Sequence, residues 1–254
     1  MNLKAKKEVE NMIYTENFKM GLKDIGKDNK IKNRAILEFL ENIGAYQSDL
    51  VGYGAEFTNK TGLAWVLLDW KLKVLKRAVY GDILKIKTWG RAMNKASSYR
   101  DFEIYNQKGE LCAIATSKWA MVDIKKGKIV KLSEEIIEKY EPEEKSVFEN
   151  KILEKIEISK EDNTYKTTKY KVNRKDIDLN GHMHNLYYLD LVYEALPEDI
   201  YINETFDNVR IHYKKEIKPK EILNCDYIFE NEKHKVCIYN EDRTILHAIG
   251  EVWN

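Results

Sequence analysis

The chain repeats itself. A strand, an amphipathic helix, a long strand and a hairpin follow one another in the first half and again in the second. A unit that recurs on this scale has to fold as two copies of one architecture. In the first copy Ile31, Ala35, Ile36, Phe39, Leu40 and Ile43 recur at helical spacing. They predict a helix over 30–47, with Gly44 near its end. Strands are expected over 63–76, 83–91, 99–106 and 111–122, separated by turns at Val79-Tyr80-Gly81-Asp82 and Gln107-Lys108-Gly109-Glu110. The second copy predicts a strand over 165–173, a helix over 183–196 stopped by Pro197, and strands over 209–217, from Ile222, over 227–231, 235–239 and 244–253. Gly81-Asp82-Ile83-Leu84 matches Lys220-Glu221-Ile222-Leu223 in context, and residues 30–40 match 182–192. The expected class is α+β, each long helix lying in the concave side of its own curled antiparallel sheet and burying both. Two of the strands are long, which suits a sheet that curls. The organisation read from this is an N-terminal domain over 1–130, an acid-rich linker over 131–163 and a C-terminal domain over 164–254. The linker contains Pro142 and reads as solvated, with one short helix over 133–140.

The segments that open the two helices differ. The second is Asp178-Leu-Asn-Gly-His182, the first Gly26-Lys-Asp-Asn-Lys30. Read as extended chain, Asp178, Asn180 and His182 alternate and project to one side. They would face the N-terminus of a helix beginning at about Met183, where unpaired N–H groups and the positive end of the dipole suit an anion or a developing oxyanion. One copy keeps an acid, an amide and an imidazole; the other keeps only a helix start. One active site per chain is therefore expected.

Composition narrows the class. Lys+Arg 43 against Asp+Glu 42 leaves no global field for nucleic acid. The longest apolar run, Leu63–Leu68, is far short of the ~20 residues that span a bilayer. The first twelve residues have no signal-peptide core, so no stable membrane association is expected. Cys112, Cys225 and Cys237 are few, odd in number and scattered. They fit a reducing cytoplasm and form neither a disulfide framework nor a zinc pattern.

The chain resembles the acyl-acyl carrier protein thioesterases of bacteria and plant plastids, which have two fused hotdog domains. In the first half the resemblance rests on Gly62-Leu-Ala-Trp-Val-Leu-Leu-Asp-Trp70, Tyr80-Gly-Asp82, Thr88-Trp-Gly-Arg91, Arg100-Asp-Phe102 and Ala115-Thr-Ser-Lys-Trp119. In the second it rests on Asp178-Leu-Asn-Gly-His182, Asn185 with Tyr188, and Tyr213-Lys-Lys-Glu216. It implies two tandem hotdog domains, hydrolysis of fatty acyl-acyl carrier protein to free fatty acid, and a catalytic set on Asp178, Asn180, His182 and Glu216. Many plant members carry a cysteine after that glutamate; this chain has Ile217. His184 stands where the family usually has asparagine. The resemblance implies no metal or organic cofactor.

In the implied chemistry Glu216 is the candidate base for water, and His182 polarises the carbonyl or protonates the leaving thiol. Asn180 positions water or thioester, and Asp178 orients Asn180 and His182. Strand alternation from Val209 puts Glu216 with Arg210 and His212, so it reaches the site only if the helix end approaches that face or a bulge intervenes. Trp65, Leu67, Ile36 and Leu40 are candidate walls of an acyl tunnel, and Asn185 a further substrate contact. The expected partner, acyl carrier protein, is acidic. Lys71, Lys73, Lys76, Arg77, Lys85, Lys87 and Arg91 form a basic stretch suited to steering it. An acyl-CoA thioesterase or a non-catalytic acyl-binding hotdog module are the alternatives. The expected assembly is a monomer or a homodimer.

Overall fold

The computed structural model describes residues 13–91, 93–94, 96–158 and 166–254. They form two compact units. The first comprises residues up to Val66 together with Lys76–Glu149, the second Leu67–Leu75 with Asn150–Asn254.

The first unit contains β1 (Tyr14–Lys19), α1 (Asn33–Leu50), α2 (Ala55–Thr61) and the start of β2 (Leu63–Val74), which from Leu67 belongs to the second unit. It continues with β3 (Ile83–Arg91), β4 (Ser98–Tyr105), β5 (Leu111–Asp123), β6 (Lys128–Ile129) and α3 (Glu134–Tyr140). Its antiparallel sheet runs β1-β3-β4-β5, with β6 on β5. The apolar stripe of α1, Ala35, Ile36, Leu37, Phe39, Leu40 and Ile43, is buried.

The second unit contains β7 (Lys166–Lys171), α4 (Tyr187–Ala195), α5 (Glu198–Asn203), β8 (Asn208–Tyr213), β9 (Ile222–Glu230), β10 (Lys233–Asn240) and β11 (Leu246–Trp253). Its sheet runs β8-β11-β10-β9-β7, again antiparallel, with the later part of β2 beside β8. Leu189 and Val192 of α4 are fully buried, as are Val209, Ile211, Val236, Ala248 and Val252 of the sheet. Each unit is thus an α+β hotdog in which a helix and a sheet hide one another's apolar face. Contact is close at Gly250, where an added Cβ would stand 2.2 Å from Val192 Cγ2.

Both helices begin later than their periodicity suggests, α1 at Asn33 and α4 at Tyr187. Ile31 and Met183 are buried, but in isolated bridges with Ile25 and Ile177. Burial at the right spacing therefore imitates an extra helical turn. β8 ends at Tyr213, four residues before the expected limit, and the two strands expected after Ile222 are the single strand β9. β1 is the strand that the repeat places before the first helix without giving it bounds, while α2, β6 and α5 have no counterpart in the sequence reading. Tyr165 and the first twelve residues fall outside the described residues.

Over its described residues, 131–158, the acid-rich segment is packed down instead of solvated. Ile136 and Tyr140 of α3 pack into a cluster with Tyr53, Met121 and Leu132. Beyond α3 the Glu143 N–H donates to Gly90 O, Trp89 Nε1–H donates to Lys145 O, and Val147 N–H donates to Asp101 Oδ2. Residues 150–158 belong to the second unit, where Ile156 and Ile158 lie on Ile228, Cys237 and Ile249. Arg210 Nη2 and Lys235 Nζ donate to the carbonyls of Glu154 and Glu157 there. Most of the carboxylates face water while the backbone, Ile156 and Ile158 do the binding, so over the described residues composition misreads the segment.

Because Gly250 has no room for a side chain, Gly250→Ala should lower the stability of the second unit by about 1–3 kcal/mol. Its urea-unfolding midpoint, followed by circular dichroism, checks this.

Candidate active site

The two helix-opening loops share one backbone. In the second unit a 3-10 turn at Arg174–Asp176 leads in, and Asp176 Oδ2 accepts the Asn173 N–H. Asp178 N–H then donates to His182 O at 2.8 Å, Gly181 N–H to Asp178 O at 3.1 Å, and His184 N–H to Asp176 O at 2.8 Å. In the first unit a 3-10 turn at Leu22–Asp24 does the same, with Gly21 N–H on Asp24 Oδ2. The matching bonds are Gly26 N–H to Lys30 O at 2.8 Å, Asn29 N–H to Gly26 O at 3.1 Å and Lys32 N–H to Asp24 O at 2.9 Å. Gly181 has φ 81° and Asn29 φ 60°, left-handed positions that glycine and asparagine tolerate best. The connection that follows β8 or β2 is tied on identically, Met183 N–H to Ile217 O and Ile31 N–H to Ala78 O, both at 2.9 Å.

This correspondence shows what each copy carries at the same place. Asp178 falls on Gly26, Asn180 on Asp28 and His182 on Lys30, and Glu216 falls on Arg77. In the second unit His182 Nε2 lies 3.3 Å from Glu216 Oε1, both side chains partly open to solvent. In the first unit the equivalent positions are two cations, and Arg77 Nη1 is turned back onto Ile31 O and Asn33 Oδ1.

The loop is a tight turn, not an extended segment. Asp178 Oδ1 accepts the N–H groups of Asn180 at 2.8 Å and His182 at 3.3 Å, and Oδ2 accepts from Asn180 Nδ2 at 3.4 Å. Asp178 therefore holds Asn180 directly and His182 through its backbone, while the imidazole faces Glu216 instead. Glu216 escapes the strand alternation because β8 has already ended. Lys214 N–H and Lys215 N–H both donate to His247 O, at 2.8 and 3.1 Å, and Ile217 N–H donates to Tyr188 Oη at 3.1 Å. The buried His247 also sets Nε2 3.2 Å from Glu221 Oε2.

The start of α4 is not the open donor expected for an oxyanion. Leu186 N–H is taken by His184 Nδ1 at 3.3 Å, Tyr187 N–H by His184 O at 3.0 Å, and Tyr188 N–H by Asn185 O at 3.3 Å. His184 thus occupies two of the N–H groups that open the helix. Asn185 O also accepts from Tyr213 Oη at 3.0 Å.

Other expected residues are scattered. Ile36 and Leu40 are buried on the core stripe of α1. Trp65 packs edge-on against Tyr140 and donates Nε1–H to its hydroxyl at 3.0 Å. Leu67 is buried, but alternation along β2 places Asp69, Lys71 and Lys73 on the side that carries Trp65 and Leu67, so that side is not a continuous apolar wall. Of the basic stretch, Lys73, Lys76 and Lys85 are exposed, and Lys71 and Lys87 half-buried. Burial, then Arg210 and Lys233, hold the Lys71 ammonium below its ordinary pKa. Arg91 is a correction: it is buried at 2 % exposure and paired with Asp101 at 3.0 Å, so it cannot meet a partner. Arg77 is likewise occupied within its own unit.

The sequence names Tyr188 and Asp69 only as parts of motifs and gives no site role to them, to His247 or to the network around Asp69. Arg210 Nε and Nη2 grip Asp69 at 2.7 and 2.9 Å, and His212 Nδ1 lies 3.0 Å from it. A cavity of about 550 Å³ in the second unit is lined by Phe206, Tyr227, Phe229, His234 and Trp253 with Glu204, on elements other than the 178–182 loop. Its His234 is bonded to Tyr227 at 2.9 Å, and burial keeps it below the ordinary imidazole pKa. Among the described residues no cluster could hold a metal ion, and no helix is long and apolar enough to cross a membrane.

Solved structures share this fold. A 12:0-ACP thioesterase from Umbellularia californica superposes with a TM-score of 0.85 at 15% identity, covering 96% of this chain and 97% of the other. An acyl-ACP thioesterase from Bacteroides thetaiotaomicron gives 0.85 at 18% identity, covering 96% and 98%. In sequence, the chloroplastic oleoyl-acyl carrier protein thioesterase 1 of Arabidopsis thaliana is 24% identical over 225 residues, 83% of this chain and 62% of that protein. The chain thus spans about three fifths of the length of this relative. Residues 11–140 match the acyl-ACP thioesterase N-terminal domain and residues 159–251 the C-terminal domain. With both halves accounted for, the chain belongs to the acyl-ACP thioesterase family.

Proposed function

We propose that this protein hydrolyses the thioester of fatty acyl-acyl carrier protein, releasing free fatty acid and ending chain growth, from a single site in its second unit. The observation that carries the reading is the His182–Glu216 pair, 3.3 Å apart on the loop gripped by Asp178, set against two cations at the same positions of the first unit. A water beside Glu216 gives it a proton and attacks the thioester carbon. Charge then develops on the carbonyl oxygen, which His182 Nε2–H and the Asn180 amide stabilise as side-chain donors, the helix start being already occupied. Collapse breaks the C–S bond, and the thiolate of the phosphopantetheine arm leaves with a proton from the Glu216–His182 pair. Asp178 keeps the loop in shape. Trp65, Leu67, Ile36, Leu40 and Asn185 stay candidates for the acyl and substrate contacts. The same proposal has the protein cytoplasmic, as a monomer or homodimer.

A cysteine nucleophile has no support. Cys112, Cys225 and Cys237 are all buried, and burial pushes the thiols of Cys225 and Cys237 up to about 12. A thiol titrating that high is protonated throughout the neutral range and is a poor nucleophile.

Thiol release from carrier-protein and CoA thioesters of medium and long saturated chains is the direct test. Glu216→Gln and His182→Ala should each lower kcat by about 100-fold or more. Full turnover by Glu216→Gln would remove it as the base, and preference for CoA would replace the carrier-protein partner. Iodoacetamide at neutral pH should leave the native protein's rate unchanged; inactivation protected by substrate would reinstate a thiol. For the partner, Lys73, Lys76, Lys85 and Lys87 together changed to glutamate should raise KM for the carrier-protein substrate at least about tenfold while sparing small thioesters. Equal KM values would dismiss that surface.

A further inference from the structure

We infer that Tyr188 is a positioning residue: its buried phenol oxygen holds the Ile217 N–H and thereby sets Glu216 against His182. The inference rests on the hydrolase reading for its kinetic readout and on geometry for its second one. Ile217 is bound on both sides, its N–H by Tyr188 Oη at 3.1 Å and its carbonyl by the Met183 N–H at 2.9 Å. Glu216 precedes Ile217 and His182 precedes Met183, so the two reacting side chains hang one residue away from one backbone link. That link alone fixes a distance, not the rotation of residue 217. The second bond, from helix α4, removes the rotation.

The phenol is itself locked. Tyr188 is 2 % exposed and meets Tyr213 edge-on at 5.1 Å between ring centroids. Tyr213 Oη in turn donates to Asn185 O at 3.0 Å, in the turn that opens α4. Burial raises the Tyr188 phenol well above its ordinary pKa, so it stays neutral as an acceptor.

The first unit is an internal control. Carried along the helices, the same correspondence sets Asn185 on Asn33 and Tyr188 on Ile36, and the strand register sets Tyr213 on Val74. The backbone link is kept there, Ile31 N–H to Ala78 O at 2.9 Å, with neither phenol present. The fold therefore does not need the pair of tyrosines. They occur in the copy that also has a carboxylate to aim.

The test is a double-mutant cycle on the full chain with carrier-protein thioesters, using wild type, Tyr188→Phe, Glu216→Gln and both together. Tyr188→Phe keeps the ring and deletes only the oxygen. It should lower kcat about tenfold with KM within about twofold, since misplacement of a reacting group is felt in the rate. In the Glu216→Gln background the same change should cost less than about twofold, because residues acting as one unit are not additive. Equal losses in both backgrounds would make Tyr188 a merely structural residue and overturn the inference. Amide hydrogen exchange at Ile217 supplies a readout free of activity: Tyr188→Phe should speed it by about tenfold or more, and unchanged exchange overturns the inference even if catalysis falls. Loss of turnover in wild type itself would instead defeat the hydrolase reading and leave the exchange result standing. Tyr227→Phe, which removes a phenol bonded to His234, should leave kcat unaltered. If Tyr188→Phe does not fold, a fluorinated tyrosine at 188, a weaker acceptor on the same ring, goes through the same cycle under the same criterion.

Discussion

Burial of one helix against one curled sheet is the interaction on which everything else in each unit depends. Neither partner is stable alone: α4 is nine residues long, too short to hold its shape in water, and an open sheet would expose an entire apolar face. Together they exclude water from Leu189, Val192, Ile211, Val236 and Ala248. The approach is tight enough that Gly250 has no space for a side chain beside Val192. A helix seated this firmly gives its N-terminal loop a fixed place, and a fixed loop is what a catalytic group requires.

The duplication separates what the architecture needs from what the chemistry needs. Both copies keep the aspartate-capped 3-10 turn, the left-handed residue and the backbone bond to the connection beyond β8 or β2. These features build the loop. Only the second copy has Asp178, His182, Glu216, Tyr188 and Tyr213. In the first, Lys30 and Arg77 stand where the imidazole and carboxylate would be, and like charges there could not pass a proton as the His–Glu pair can. Both loops keep the shape, and only the second carries the His182–Glu216 pair on which the proposed hydrolysis rests.

Much of this was legible in the residues, and the misreadings have physical causes. Periodicity located both long helices but began them three to four residues early, since Ile31 and Met183 are buried by bridges instead of helical turns. Charge located a basic stretch but not its accessibility: Arg91 is spent on Asp101 inside the first unit. Acid content suggested a solvated linker, whereas the backbone of 141–158 is strapped down by Trp89, Arg210 and Lys235. In each case the property read from sequence belongs to the side chain, and the decisive contact is made by the backbone or by a residue distant in the chain.

The sequence by itself determined the repeat, the α+β class, the family and the asymmetry between the helix-opening loops. The repeat, the class and the asymmetry are local or compositional, and a side chain's polarity and spacing suffice for them; the family came from the resemblance of particular motifs. Only the tertiary structure decided that Glu216 faces His182. The strand rule pointed Glu216 elsewhere, and the answer came from β8 stopping at Tyr213, from His247 taking two backbone N–H groups, and from Tyr188 taking a third. Those partners lie about thirty residues to either side of Glu216 in the sequence, and the spacing between them exists only once α4 and the sheet have closed on one another.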